Sequence, residues 1–237
     1  MTTRFTRQRE LLRALALAAS FLPGLVAPLS AAPPSRERLN TQCHDCTESN
    51  GTAAHPRVVG VKIYNQPDLT DAGISRILET ANRIWKRYGI SVEASNARDA
   101  ITVVVSRRAA QGGTDFRPTV LGDTIFTDGH ATPYIHLWPA NAEALAAGSE
   151  MDGRPFTSRS RVEQDMILRQ ILGVALAHEL AHYLLDTANH SADGLLRATI
   201  GVNDLAFPKL AHLRLTHDQA RMICLEGDEP QWRSASR

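Results

Sequence analysis

From Ile167 to Ala177 the chain is apolar nearly all round a helix, interrupted only by Arg169 and Gln170. The run leads straight into His178-Glu179-Leu180-Ala181-His182. A helix that is apolar on most sides is buried on most sides. Other layers must therefore wrap this segment, and its histidines must emerge from the interior. A hydroxyl cap at Ser158 or Ser160 places the helix from Arg161 to about Asp186.

Four residues of separation turn His178 and His182 by about 40° and offset them by about 6 Å along the axis, so both imidazoles reach one ion. Glu179, one residue on, is placed to take a proton from an attacking water without ligating the ion itself. This is the mechanical content of H-E-x-x-H. Zinc among neutral imidazoles, with one position open, brings the pKa of water to about 7. Glu179 then acts as general base and returns the proton to the leaving amine of a peptide bond.

Such a site needs a third protein ligand. His190 is the choice, because Thr187-Ala188-Asn189 can turn the chain back after the helix. Asp186, one turn beyond His182, is the rival, either as a ligand or as a carboxylate orienting an imidazole. Glu226 and Glu229 would serve only from a downstream helix. His130, His136, His212 and His217 lack metal spacing, although His136 sits on a strand that can border the cleft.

The remaining pattern is α/β. Val58 to Tyr64 reads as a strand. A helix capped by Thr70 or Asp71 follows, with Ile74, Ile77, Leu78, Ala81, Ile84, Trp85 and Tyr88 on one face and Gly89 at its end. Strands are expected at Ile90 to Glu93, Ile101 to Val105, Val120 to Thr127 and Tyr134 to Trp138, with a loop from Ala109 to Pro118 and a turn at Asp128-Gly129. Thr216 and Gln219 form a capping box opening a last helix that runs to about Leu225.

The start of the chain reads as an export signal, residues 1–31. Arg4, Arg7, Arg9 and Arg13 precede an apolar run, Ala14 to Leu22, and small residues follow at Ser30, Ala31 and Ala32. Pro23, Gly24 and Pro28 cut that run short of the ~20 residues a membrane span needs. Residues 32–56 form a polar linker, and 57–237 the folded domain. The signal carries a net +3 in a chain of net +1, so its removal leaves about −2. That charge argues against nucleic acid or an anionic membrane as partner. Of Cys43, Cys46 and Cys224, the first two have CxxC spacing but no strand–helix context, which favours a disulfide or loose thiols over a redox or metal site.

On these residues the chain resembles the metzincin group of zinc peptidases, and small exported bacterial zincin-like proteins most of all. The resemblance runs from the strand at Val58 through Leu121-Gly122, Tyr134-Ile135-His136-Leu137-Trp138 and the His178–His182 helix to the helix ending near Leu225. It implies a mixed sheet on a long active-site helix, a zinc held by His178, His182 and His190, Glu179 as base, and a peptide or protein substrate laid along Val120 to Thr127. Two positions depart from the pattern. Leu185 and Ala188 stand where metzincins place a Gly and the third ligand, and Leu196 stands in the place of the methionine beneath the metal. The second departure leaves a zinc-holding surface protein without turnover as the alternative.

Overall fold

The computed structural model describes residues 57–65, 69–106 and 120–225. Residues 1–31, the linker with Cys43 and Cys46, the loop from Ala109 to Pro118, and Glu226 and Glu229 lie outside the described residues. Among the described residues, no helix is long and apolar enough to cross a membrane.

The β-branched segments form strands β1 (Arg57–Asn65), β2 (Ile90–Ala94) and β3 (Ile101–Val105), with helix α1 (Asp71–Trp85) between the first two. β4 (Gly122–Thr127) and β5 (His130–Leu137) complete a five-stranded sheet of order β2-β1-β3-β5-β4. All its pairs are parallel except β4 with β5, so the last strand runs against its neighbour. Alternate residues, Val59 and Val61, Ile101, Val103 and Val105, Ile135 and Leu137, are buried in the core. Val58, Tyr64 and Tyr134, at the alternate positions of their strands, are exposed, as the two-residue strand period requires. Asp128 and Gly129, both at positive φ, make the tight turn that pairs Thr127 with His130. β5 therefore begins four residues earlier than Tyr134, where the apolar pattern starts.

After β5 come α2 (Pro139–Ala147), the short strands β6 (Glu150–Met151) and β7 (Arg154–Pro155), and the long helix α3 (Arg161–Leu184). α2 was not expected from the hydrophobic pattern. Its signal was Pro139 at the first helical position, where a missing N–H is harmless and φ is already set. Ser160 caps α3 in a reciprocal box with Glu163, and Thr70 caps α1 by accepting from the Gly73 amide at 3.2 Å. α4 (Val202–Ala206) and α5 (His217–Leu225) close the C-terminal part, α5 with the Thr216–Gln219 box. Cys224, on α5, is disulfide-bonded.

α1 and α3 cross closely because Gly173 has no side chain. A Cβ there would stand 2.5 Å from the Thr80 Cβ and 2.8 Å from the Ile77 carbonyl oxygen. Backbone cannot retreat as a side-chain tip can, and overpacking typically costs about 1–3 kcal/mol. Gly173→Val is expected to lower unfolding stability by about 3 kcal/mol, read from the urea midpoint. A change below about 0.5 kcal/mol, the size of an ordinary surface substitution, would show that the crossing is loose.

Candidate metal centre

α3 stays in the core through its last turns, where Leu180, Ala181, Tyr183 and Leu184 are buried, and its histidines border a cleft. His182 is buried, His178 half-buried, and His190 exposed in the loop that follows the helix. One ligand atom from each of the three lies within 4.8 Å of the others. The cluster needs the helix to stop soon after His182 and the chain to reverse, and the backbone shows how. The Thr187 amide donates to the His182 carbonyl at 3.1 Å, and the Asp186 amide to Tyr183 at 3.3 Å. Asp186 itself adopts φ 44°. This is the left-handed helix stop in which the two residues past the cap bond back to the last turn.

The imidazoles are oriented by backbone carbonyls. His178 Nδ1 donates to the Leu195 carbonyl at 2.7 Å, and His182 Nδ1 to the Thr187 carbonyl at 2.7 Å. With both Nδ1 protons committed, both Nε2 atoms present lone pairs, and these face each other at 3.1 Å. Two lone pairs so placed repel unless a cation lies between them. Two nitrogens bound tetrahedrally at 2.0–2.1 Å from zinc would be about 3.3 Å apart, so the spacing fits that ion. Burial and the neighbouring His182 push the His178 imidazole down to about 4, and burial lowers His182 as well. Both rings are therefore neutral at pH 7, as metal ligation requires.

Leu195, whose carbonyl holds His178, is fixed in turn. Its amide donates to Arg214 at 2.8 Å, and the Ser191 amide donates to Leu196 at 2.9 Å. Gly194 precedes it at φ 76°, and a Cβ there would run into the Arg214 carbonyl oxygen. Leu195 and Leu196 are fully buried, so Leu196, the residue in the place of the methionine, is packed into the core.

Glu179 faces the same cleft and is buried. The Thr124 hydroxyl on β4 lies 2.9 Å from both the Glu179 carbonyl and its Oε2, so one proton serves the helix backbone and the carboxylate. Burial pushes the Glu179 carboxyl up to about 8, against the opposing hydrogen bond from Thr124. The cleft has a volume of about 740 Å³. β4, the last strand of the sheet, forms one wall, and the segment from Arg197 to Val202 forms the other, with Leu145 and Leu205 adding apolar surface.

The structure thus joins His178, His182 and His190 and sets Glu179 beside them. The other candidates lie elsewhere. Asp186 is not in the cluster, and its carboxylate is bound to the Ala131 amide at 2.6 Å and to His130 Nδ1 at 2.7 Å. His130 is outside the cluster too, so Asp186 makes no hydrogen bond to an imidazole of the cluster. His136 pairs with Asp123 across the β4–β5 ladder at 2.9 Å, and His212 with Asp204 at 2.9 Å. Thr124 and the carbonyls of Thr187 and Leu195 were missed. Backbone acceptors carry no residue-type signal, and a lone Thr in a strand reads as ordinary β-former. No family model matches the chain, and no curated protein matches it.

Proposed function

We propose that this chain is a zincin-like, zinc-dependent endopeptidase. The observation that carries the reading is the 3.1 Å approach of two lone-pair nitrogens, His178 Nε2 and His182 Nε2, with His190 completing the set beside a buried Glu179. His178, His182 and His190 would hold the ion. When bound, zinc supplies Lewis-acid polarisation of a carbonyl oxygen and acidifies water. A cation held by the three histidines would favour the ionised Glu179 carboxylate against the effect of burial. That carboxylate would accept the proton of the attacking water and deliver it to the leaving amine. Thr124 holds that carboxylate on the cleft side of α3. β4 ends the sheet order along the cleft, which suits an extended peptide added by backbone hydrogen bonds.

The same reading makes the protein exported, periplasmic or secreted, with a peptide or protein substrate, no nucleic-acid partner, and no stable membrane insertion once the signal is removed. The disulfide at Cys224 supports an oxidising compartment. The test is a degenerate peptide mixture and an unfolded protein offered to the zinc-loaded enzyme, with products identified by mass spectrometry. Internal cleavage that a chelator stops and added zinc restores is the expected result. A fully zinc-loaded sample that releases no product from either substrate would overturn the peptidase assignment.

A further inference from the structure

The left-handed stop after α3 is a position where glycine is the default, because it alone adopts positive φ without a steric penalty. Here the residue is Asp186, at φ 44°. A non-glycine residue in that region carries a steric penalty, smaller for Asp than for most, which bonds of its own side chain can offset. The offset is visible. Asp186 Oδ1 accepts from the Ala131 backbone amide at 2.6 Å, and Oδ2 accepts from His130 Nδ1 at 2.7 Å. Both partners open β5, just past the hairpin turn from β4. The amide bond to a carboxylate is of the stronger, charge-assisted kind. The His130 pair is largely exposed and adds little alone.

Two features give this contact a role beyond the helix stop. Asp186 stands midway in the connection from His182 to His190, the stretch that sets where the third imidazole lies. The hairpin it grips is also the one whose β4 strand supplies Thr124 to Glu179. One hairpin therefore fastens the base side of α3 through Thr124 and the third-ligand connection through Asp186.

We infer that Asp186 is the positioning residue of the third metal ligand: its carboxylate ties the connection 185–190 to the β4–β5 hairpin and so holds His190 against His178 and His182. The inference rests on the three-histidine metal reading above. Asp186 touches neither the ion nor the substrate, and it acts only through His190.

The test compares the parent with Asp186→Asn, Asp186→Gly and His130→Ala, using zinc alone as the probe in competition with a chromophoric chelator. Asp186→Gly makes the backbone turn easier and removes the tether, so it separates the two roles of the residue. Loss of a residue that supports a metal ligand typically weakens affinity about 10–100-fold, and a rise in Kd of at least tenfold is expected for Asp186→Gly. Asp186→Asn keeps the left-handed preference and an acceptor for the Ala131 amide, so it should fall between parent and glycine variant, as should His130→Ala. The visible absorption of the Co2+-loaded glycine variant should lose the intensity of a three-nitrogen tetrahedral site. Zinc bound by Asp186→Gly within twofold of the parent would overturn the tether and leave the metal site standing. The same holds if only the metal-free melting temperature changes. A parent that binds no zinc would remove the tether and the metal reading together.

Discussion

Glu179→Gln is expected to reduce kcat for peptide hydrolysis about a thousandfold while zinc remains bound at the parental stoichiometry. The amide has the shape of the carboxylate and keeps an oxygen to accept from Thr124, which donates to the Glu179 side chain at 2.9 Å. It cannot accept the proton of the attacking water. General-base catalysis contributes about 10²–10⁴-fold, and a thousandfold loss lies within that range. The side chain is buried, and burial disfavours its charged form. Removing the titratable group therefore removes no favourable charge interaction, and the melting temperature should not fall. Kinetics on one cleaved peptide, elemental analysis and a thermal melt decide the matter together. A variant within tenfold of the parent would take the base role away from Glu179. A variant that loses both zinc and stability would show that the carboxylate is structural.

Removal of the metal is expected to have the largest effect on stability. A ligand at a thousand times its Kd stabilises the folded state by about 4.1 kcal/mol. For a domain of this size, each kcal/mol moves the melting temperature by about 2–4 °C, so chelation should lower it by on the order of 10 °C. The cluster supplies the reason. His178 and His182 point lone pairs at each other at 3.1 Å, with their other ring nitrogens tied to Leu195 and Thr187. Without a cation, one of those ties must break or one ring must take up a proton, and burial opposes the charged form of both. The loss should concentrate at the end of α3 and in residues 185–196, which hydrogen exchange can localise. An unchanged melting temperature after verified removal of the metal would mean that the three histidines are satisfied without an ion.

What could be read from residue order was what repeats or clusters along the chain. The apolar run before His178 forecast a buried helix, and α3 is buried from Ile171 to Ala177. The capping pairs Ser160–Glu163 and Thr216–Gln219 forecast where helices begin, and both boxes form. His190 was placed from the turn-forming residues before it, and it joins the cluster. Features made by backbone acceptors or by residues far apart in the chain were not legible. Asp186 had the right spacing for a ligand, but a hairpin 55 residues earlier claims its carboxylate. The left-handed residue of the helix stop is Asp186, one past the cap Leu185, a position that no glycine marked in the sequence. Leu195 matters through its carbonyl, which no side-chain pattern announces. α2 was missed because its small residues give a weak helical period, although Pro139 marked its start.

The central claim is that three histidines, and not two, hold one zinc ion. Zinc content by elemental analysis of the purified protein and of His190→Ala, after dialysis against limiting free zinc, tests it most directly. About one zinc per chain in the parent, and much less retained by the variant, is the predicted result. No zinc in a folded parent never exposed to chelator would contradict the account, and so would a variant that retains as much as the parent.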